Sequence, residues 1–482
     1  MPRKHPTDDV NPALVSALGR PRTVLDVGCG AGVSALAAQG QGAQVVSIEH
    51  DPELLARARR VLDEVIEADF DDSDSLRQAV GERQFDLVIL PDALERSRDP
   101  AALVERCADF VAPEGRLVAS VRNREAWPVR LQLDSPEIGY GDPKRVMLNR
   151  KDVIGMTRAA GLEVLEVAQN PMLLKAGRGL LDEAFDLTLR EGEESATGFR
   201  DLSAYQLYLT AVRPLEVKVA ALAPRLLAYQ HVVIARKKPA PGPLSLTVGM
   251  LTMDEEPSIA RMMGAIRKVV PDAEVLCVDS SVRDRTPEIA QEHGARVLRQ
   301  LPPRGHGPAM QLLMYEAARQ SDALIYLDCD FTYPPEVIPA LRKILERGAD
   351  VVNAARTRSK PDAMPLANYV ANKTFVAAAR ALNGMPVADL HSGMRGYRSS
   401  VIRSFDFDGE GDAIPIDTLL WPARSGYRVV EVPIEYQERV GFSKLRKLTG
   451  TVWTFIRLAK TLNVGERRSD TYQVWPDLDR DD

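Results

Sequence analysis

The chain has 482 residues, of which 62 are Lys or Arg and 68 are Asp or Glu, giving a net charge of −6. Hydrophobic residues make up 45% and charged residues 27%, which is typical of a globular protein and excludes a disordered chain or a mini-protein. The acidic balance argues against a nucleic-acid partner. The cysteines have no paired spacing and predict free thiols in a reducing cytoplasm: Cys29, Cys107, Cys277 and Cys329.

The N-terminal residues MPRKHPTDDVNP lack the apolar core of a secretory signal. No apolar run approaches the roughly 18 residues of a membrane span. These patterns predict a cytoplasmic protein. They leave open both a peripheral contact with the inner face of a membrane and a homo-oligomer.

The clearest break in the chain is the proline-rich segment KKPAPGPLS, at 237–245. Proline fixes φ and lacks a backbone donor, so neither a helix nor a central strand should continue through it. The break predicts a domain at 1–238, a linker at 239–245, a domain at 246–445 and a helix with a polar tail at 446–482. Within the first domain, 173–224 is predicted to be a helical insertion before the last strand.

Short apolar runs alternate with longer helical patterns on both sides of the linker. In the first domain, strands are predicted at TVLDVG, VVSIE, VIEADF, FDLVIL, GRLVASV, EVLEVAQ and YQHVVIAR. In the second domain, they are predicted at LTVGML, EVLCVDS, ARVLRQ, ALIYLDCD, DVVNAAR and YRVVEVPI. Because strands alternate with helices, we expect two α/β, Rossmann-like domains with parallel sheets.

The first predicted strand runs into a loop with glycines at alternate positions: Gly28, Gly30 and Gly32. Glycines at this edge of a parallel sheet let the backbone approach a nucleotide-bearing ligand. Glu49 ends the next strand and is placed to accept hydrogen bonds from two ribose hydroxyls. Asp69 and Phe70 end the third strand and are placed for an adenine amino group and ring. Solvated strand ends are the alternative for each acid, and dinucleotide binding, which spaces the third glycine differently, is the rival ligand class.

Three segments of the first domain resemble motifs of the class I S-adenosylmethionine-dependent methyltransferases: VLDVGCGAG, FDLVILPDALERSRDP and FVAPEGRLVASV. The resemblance covers 20–238. It implies that S-adenosylmethionine is held by Asp26, Gly28, Gly30, Gly32, Glu49, Asp69, Phe70 and Leu94.

The chain departs from the methyltransferase branch that it most resembles. Arg96 stands where that branch usually has His, and Arg122 with Asn123 stands where it usually has Pro-Asn. These departures leave the methyl acceptor and turnover itself open. Positioning two reactants in a dry pocket can supply several kcal/mol, and we therefore assign no catalytic base in this domain.

In the second domain, the run ALIYLDCDFTYPPE delivers two carboxylates, Asp328 and Asp330, at the end of a buried strand. Two acids at i and i+2 suit a hard divalent cation that clamps a diphosphate. An Asp-x-Asp pattern alone is common. Its place between an apolar strand and a Pro-Pro stop strengthens the prediction of a Mg²⁺ or Mn²⁺ site.

Several blocks of the second domain resemble the family-2 glycosyltransferases of GT-A fold, most closely the polyprenyl- or dolichyl-phosphate sugar synthase branch: RGHGPAM, DCDFTYPPE, ADLHSGMRGYR and GYRVVEVPIEYQERVGFSKL. The turn after the first strand, LTMDE, departs from that branch and keeps only the acid. The resemblance implies that a nucleotide sugar is bound by Thr252, Glu255, Asp279, Ser281, Asp328 and Asp330. It also implies acceptor binding by Arg439, Ser443 and Lys444.

The nature of the acceptor decides which catalytic groups are needed. A sugar hydroxyl would need a general base, for which Asp417 is the best candidate and Asp389 the alternative. A phosphate is already ionised near neutral pH and would need cations instead. Arg395, Arg439 and Lys444 supply such cations, with surface solvation as the alternative for each.

The two resemblances imply a bifunctional methyltransferase and inverting glycosyltransferase, with a nucleotide sugar as donor and a polyprenyl phosphate as acceptor. The alternative is a glycosyltransferase acting on a soluble hydroxyl acceptor, with an N-terminal module that binds S-adenosylmethionine or a partner without catalysis. Asp330, Asp417 and Arg395 are the catalytic candidates.

The segment from Leu445 to Val464 is predicted to form one helix. Its apolar residues fall on one face at three- and four-residue steps: Leu445, Leu448, Val452, Phe455, Ile456 and Ala459. Such a face packs either on its own domain or in a bilayer interface. The sequence leaves both alternatives open.

Overall fold

The computed structural model describes residues 11–126, 148–171, 212–356, 362, 364–411, 413–440, 447–462, 464–465 and 469–478. The chain forms two compact units, an N-terminal unit (Met1–Pro239) and a C-terminal unit (Ala240–Asp482). The division falls inside the proline-rich segment. Most of the predicted insertion at 173–224 lies outside the described residues. No helix within the described ranges combines the length and apolarity needed to cross a bilayer.

The N-terminal unit alternates strands and helices along the chain. Its strands are β1 (Thr23–Val27), β2 (Gln44–Glu49), β3 (Val65–Glu67), β4 (Phe85–Pro91), β5 (Val111–Arg122), β6 (Glu163–Asn170) and β7 (Gln230–Arg236). Its helices are α1 (Pro12–Ala17), α2 (Val33–Gln39), α3 (Pro52–Ala58), α4 (Ser73–Val80), α5 (Pro100–Asp109), α6 (Arg150–Ala159), α7 (Arg213–Leu222) and α8 (Pro224–Leu227). Three aspartates accept backbone N–H groups at the starts of α3, α4 and α5, and so fix where these helices begin: Asp51, Asp72 and Asp99.

The sheet of the N-terminal unit has the strand order β3-β2-β1-β4-β5-β7-β6. The α/β fold class is confirmed, but the expectation of a wholly parallel sheet is wrong, because β7 runs antiparallel to β5 and to β6. Apolar runs identify strands without fixing their direction, which the connection determines. Since β1 and β4 are neighbours while their crossovers leave in opposite directions, a crevice opens at their carboxyl ends.

The C-terminal unit is a second α/β structure. Its strands are β8 (Leu246–Thr252), β9 (Glu274–Asp279), β10 (Arg296–Arg299), β11 (Ala323–Leu327), β12 (Val351–Ala355), β13 (Met394–Arg398), β14 (Val429–Pro433) and β15 (Tyr472–Val474). Its helices are α9 (Glu256–Val269), α10 (Thr286–Glu292), α11 (His306–Gln320), α12 (Ile338–Glu346), α13 (Leu366–Asn383), α14 (Ser399–Arg403), α15 (Ile414–Arg424) and α16 (Lys447–Thr461). A short 3₁₀ helix, Pro335–Val337, precedes α12.

The second sheet has the order β10-β9-β8-β11-β13-β12-β14-β15. It too is mixed rather than parallel, because β13 runs antiparallel to β11 and β12. Strand β13, whose sequence is MRGYR, was not predicted. Both of its arginines are fully buried, and Arg398 donates through Nη2 to the carbonyl of Leu345 at 2.6 Å. Backbone carbonyls of neighbouring elements therefore satisfy charges that the sequence pattern assigns to solvent.

Helix α16 packs on its unit through a polar face. Thr454, Arg457, Leu458 and Thr461 are buried. The predicted apolar stripe points outward instead, with Val452 59%, Phe455 50% and Ile456 39% exposed. Phe455 also contacts the ring of Phe375, with centroids 5.5 Å apart, so this stripe packs on its own domain only in part.

Candidate active sites

The loop after β1 turns through left-handed backbone at three glycines. The φ angles of Gly28, Gly30 and Gly32 are 71°, 60° and 88°. A Cβ at Gly28 would lie 2.7 Å from Nη2 of Arg96 and 2.9 Å from Cβ of Ala93. Glycine is therefore required here both for the backbone conformation and for the close approach of the segment after β4. The space beside Gly28 is thus filled by Arg96 and Ala93, side chains of the segment after β4.

Glu49, at the end of β2, is fully buried and holds the glycine loop in place. Its Oε2 accepts the backbone N–H of Gly30 at 2.9 Å, and its Oε1 accepts those of His50 and Asp51 at 2.9 and 3.1 Å. Arg96 donates to Oε2 through Nη1 and Nη2, both at 3.2 Å. The predicted ribose-binding acid is thus already engaged on both oxygens.

Asp26, at the end of β1, is fully buried beside the same loop. Neither of its carboxylate oxygens has a hydrogen-bond partner that meets ordinary geometry in the described part of the chain. Burial and the charge of Glu49 raise the pKa of Asp26 well above its usual value, and Arg96 opposes this rise. The backbone of Ala35 also opposes this rise. Because no donor reaches either oxygen with good geometry, Asp26 can accept a hydrogen bond from a ligand.

The remaining predicted cofactor residues differ in accessibility. Asp69 lies after β3 and is paired with Arg98, whose Nη2 is 2.7 Å from Oδ2 of Asp69. Phe70 is fully buried, and its ring contacts His50 edge-on with centroids 4.9 Å apart. Leu94 packs in the same hydrophobic core as Phe70, so neither side chain is exposed to a ligand in this structure.

In the C-terminal unit, Asp328 and Asp330 follow β11 as predicted. Oδ1 of Asp330 accepts the backbone N–H of Thr332 at 3.1 Å and its hydroxyl at 2.5 Å. Burial and the charge of Asp330 raise the pKa of Asp328 to about 7, against the opposing charges of Arg439 and Arg356. A Cβ at Gly393 would overlap the Asp328 carboxylate, so this glycine makes room for the acid.

The two acids fit a cation that is held jointly with a substrate. Among the described residues, no three His, Cys, Asp or Glu side chains are grouped to hold a metal ion. Mg²⁺ sites commonly use one or two carboxylates, with substrate phosphates and waters completing the shell. The charge of Glu255 also raises the pKa of Asp328, which places this predicted donor-binding residue near the pair.

Asp279, at the end of β9, is fully buried at the same edge of the sheet. Its carboxylate accepts the hydroxyls of Thr252 and Ser281, each at 2.7 Å. Nε of Arg299 lies 3.4 Å from its Oδ1. The structure therefore brings together three of the predicted donor-binding residues, whose role towards a nucleotide stays a prediction.

Arg439 is the predicted acceptor residue that the structure describes, and it contacts the predicted metal pair. Its Nη1 lies 2.5 Å from Oδ2 of Asp330. Ser443 and Lys444 lie outside the described residues. Arg439 therefore connects the predicted acceptor block with the predicted donor acids.

The structure does not support the catalytic role predicted for Arg395. Its fully buried guanidinium donates to Oδ1 of Asn353 and to the carbonyl of Leu390, both at 2.6 Å, and to the carbonyl of Pro415. These acceptors lie on three separate segments, so Arg395 holds the fold together.

Asp417, the third catalytic candidate beside Asp330 and Arg395, is also fully buried. Its Oδ2 pairs with Arg457, while its Oδ1 has no hydrogen-bond partner within the described ranges. Burial raises the pKa of Asp417 to about 7 although Arg457 opposes the rise.

Arg356 is a site residue that the sequence analysis missed. It follows β12 and pairs with Asp389 through Nε at 2.8 Å and Nη2 at 3.0 Å. Its guanidinium also lies over the rings of Tyr333 and Tyr436, at 5.9 and 5.5 Å from their centroids. The sequence could have indicated Arg356, because it is a cation directly after an apolar strand, at the edge of the sheet where the predicted acids lie. Asp389 is therefore held by an ion pair.

Comparison with known proteins assigns each half separately. Residues 4–167 match a methyltransferase domain family, and residues 247–405 match glycosyl transferase family 2. A dolichyl-phosphate hexose transferase of Haloferax volcanii is 37% identical over 42% of this chain and 88% of its own length. An undecaprenyl-phosphate mannosyltransferase of Micrococcus luteus is 29% identical over 40% of this chain and 84% of its own length.

The N-terminal match is shorter. A ubiquinone biosynthesis O-methyltransferase of Xylella fastidiosa is 39% identical over 21% of this chain and 42% of its own length. The matches confirm both resemblances seen in the sequence. The chain belongs to glycosyl transferase family 2 and carries an N-terminal methyltransferase domain.

Proposed function

We propose that the C-terminal unit is an inverting glycosyltransferase that moves a sugar from a nucleotide sugar to a polyprenyl phosphate. The main observation that supports this proposal is the 2.5 Å contact between Arg439 and Asp330. A cation suited to an acceptor phosphate lies against an acid suited to the donor's metal ion, so the two substrates would meet there. The names of the two transferase relatives, which act on dolichyl and undecaprenyl phosphate, support this acceptor class.

A phosphate acceptor fits the chemistry of the site. With a second pKa near 6, a phosphate monoester is ionised at neutral pH and needs no general base. One of its oxygens would attack the anomeric carbon, and the bond from that carbon to the nucleoside diphosphate would break, leaving the electron pair on the diphosphate. Asp328 and Asp330 would hold a Mg²⁺ or Mn²⁺ ion that neutralises this leaving group. Arg439 would hold the acceptor phosphate.

A hydroxyl acceptor is the second candidate, and Asp417 favours it. Its Oδ1 has no hydrogen-bond partner in the described part of the chain, and its pKa is about 7, near the value of an effective base. Against this candidate, Arg457 holds the other oxygen.

The test compares two acceptors that differ in one group, a polyprenyl phosphate and the polyprenol of the same chain length. Each is incubated in detergent with nucleotide sugars and Mg²⁺ or Mn²⁺, and the glycolipid is measured by mass spectrometry. We expect product from the phosphate alone. Equal transfer to the alcohol, or to a soluble sugar without lipid, would favour the hypothesis of a hydroxyl acceptor. In that case Asp417→Asn should abolish transfer.

For the N-terminal unit, we propose that it binds S-adenosylmethionine. The left-handed glycine loop after β1 and the buried Asp26, whose oxygens have no well-formed hydrogen bond among the described residues, support this proposal. Our first hypothesis is that the unit transfers a methyl group to a glycoconjugate. The alternative is a module that binds the cofactor without catalysis. Incubation with methyl-labelled S-adenosylmethionine and glycan extracts separates them, because a silent module would bind the cofactor and leave every extract unlabelled.

A further inference from the structure

The guanidinium of Arg96 lies among three parts of the predicted cofactor site. It donates to Glu49 at 3.2 Å, and its Nη2 donates to the carbonyl of Gly28 at 2.5 Å. Its Cζ lies 5.5 Å from the centroid of the Phe70 ring. Glu49 is predicted to contact the ribose of the cofactor and Phe70 its adenine ring, and Gly28 lies in the loop whose backbone the cofactor is predicted to approach. One side chain of the protein therefore occupies positions that the ligand would need.

The acceptor capacity of Glu49 makes this overlap a competition. A carboxylate offers about four lone-pair sites. Three are used by the backbone N–H groups of Gly30, His50 and Asp51, and Arg96 adds two further donors on Oε2. A ribose hydroxyl could bond Glu49 only where Arg96 now does. Gly30 lies in the glycine loop, and His50 with Asp51 forms the backbone between β2 and α3. Because these three donors are fixed by the fold, Arg96 is the group that must leave.

Arg98, in the same segment after β4, forms an ion pair with Asp69, the acid predicted to bind the adenine amino group. Arg98 contacts Asp69 at 2.7 Å and Asp71 at 3.2 Å. The segment after β4 thus places two arginines, two residues apart, on the acids at the ends of β2 and β3. Arg98 is 74% exposed, whereas Arg96 is 13% exposed. The buried pair is the stronger barrier, because exposed ion pairs are screened by water.

We propose that Arg96 is an internal competitor for the cofactor site, so that a nucleoside cofactor binds the N-terminal unit only after this guanidinium leaves Glu49. This competition presupposes the cofactor-binding role proposed above. Arg96 is then a determinant of affinity and not a catalytic residue. Without ligand, Arg96 stays bonded to Glu49. The free energy of binding the cofactor is therefore reduced by the free energy of breaking the Arg96 contacts.

Calorimetry of S-adenosylhomocysteine and S-adenosylmethionine binding to the full-length protein tests this competition. Arg96→Ala should bind both ligands roughly tenfold more tightly or better than the wild type, since several charge-assisted contacts no longer have to be broken. Arg96→Gln, which keeps the size of the side chain but not its charge, should show a smaller gain. Arg98→Ala should gain least of the three. Arg83→Ala, which removes an exposed pair with Glu64 elsewhere in the unit, is the matched control and should bind like the wild type.

The outcomes separate the competition from the binding role. Unchanged affinity in folded Arg96→Ala and Arg96→Gln proteins would overturn the competition and leave the cofactor site standing. Weaker binding would also overturn it, because Arg96 would then contact the ligand. If neither the wild type nor any variant binds at millimolar ligand, the cofactor-binding role itself fails. Thermal unfolding of each variant checks the fold, and Arg96→Gln decides if Arg96→Ala does not fold.

Discussion

Nη1 of Arg439 lies 2.5 Å from Oδ2 of Asp330, within the pair of acids that follows β11. The other oxygen of Asp330 is taken by Thr332. A divalent cation at this pair would therefore compete with Arg439 for Oδ2 or share it. Because Arg439 lies on the segment predicted to bind the acceptor, metal binding and acceptor binding are expected to be coupled at this one oxygen.

Asp330→Asn should abolish sugar transfer while leaving the fold intact. The amide removes the charge that would hold the cation, and we expect a loss of roughly a hundredfold or more in kcat, as for other losses of transition-state charge stabilisation. Transfer is measured with and without added Mn²⁺. Asp272→Asn, at an exposed ion pair with Arg342, is the control and should retain activity. Near-normal turnover of Asp330→Asn, or a wild type indifferent to EDTA, would show that the acids do not act through a metal ion.

Lys444→Ala should raise the KM for a polyprenyl phosphate by roughly tenfold and leave the KM for the nucleotide sugar nearly unchanged. The reason is the loss of one proposed charge-assisted contact to a phosphate, since a tenfold change corresponds to about 1.4 kcal/mol. The effect should shrink at high salt, where exposed charges are screened. Lys268→Ala, at an exposed lysine of α9, should change neither constant. A matched rise in both constants would place Lys444 with the donor instead.

The strand ends that carry the candidate sites were predictable, because apolar runs ending in Gly, Asp or Glu mark the carboxyl edge of an α/β sheet. Asp26, Glu49, Asp279 and Asp328 all lie where this pattern places them. What the sequence does not show is the partner of each acid. Arg96 and Arg439 reach their acids from segments far along the chain, and such pairings depend on the tertiary fold.

Buried arginines account for the main errors. No strand is predicted at β13, which carries Arg395 and Arg398, and Arg457 lies off the predicted apolar stripe of α16. Each is fully buried because carbonyl or carboxylate oxygens of other elements surround it; for Arg457 these are Asp417 and the carbonyls of Asp408 and Glu410. A hydrophobicity pattern assigns charge to solvent, so it does not identify the face of α16 that carries Arg457 as a buried one.

The outward face of α16 should bind to lipid. We define it as Val452, Phe455 and Ile456, three exposed apolar residues. In flotation with vesicles containing anionic lipid, the full-length protein should rise with the vesicles, and the double variant Phe455→Ser with Ile456→Ser should rise several-fold less, since burial of apolar area drives interfacial binding. Val282→Ser, at a residue that is 63% exposed far along the chain from α16, is the control. Equal flotation of the double variant would contradict a membrane role for this face.

His231 should make the N-terminal unit lose stability in mild acid. It is 3% exposed in β7, and burial together with the charge of Arg150 lowers its pKa from 6.5 to about 4, although Glu125 opposes this. The unfolded chain takes up a proton below pH 6.5, whereas the folded chain does so only near pH 4. The stability that the neutral ring contributes is therefore complete above pH 6.5 and is lost as the pH falls towards 4. The difference amounts to about 3 kcal/mol.

His231→Gln isolates this contribution, because every other titrating group is common to both proteins. Differential scanning calorimetry between pH 7 and pH 4 should show that the stability of the wild type falls more steeply than that of the variant. The gap between the two should change by about 3 kcal/mol over that range. His293→Gln, at an exposed histidine of the C-terminal unit, should follow the wild-type profile. Parallel profiles for wild type and His231→Gln would mean that the ring is protonated equally in the folded and unfolded chains. Burial would then not lower the pKa of His231.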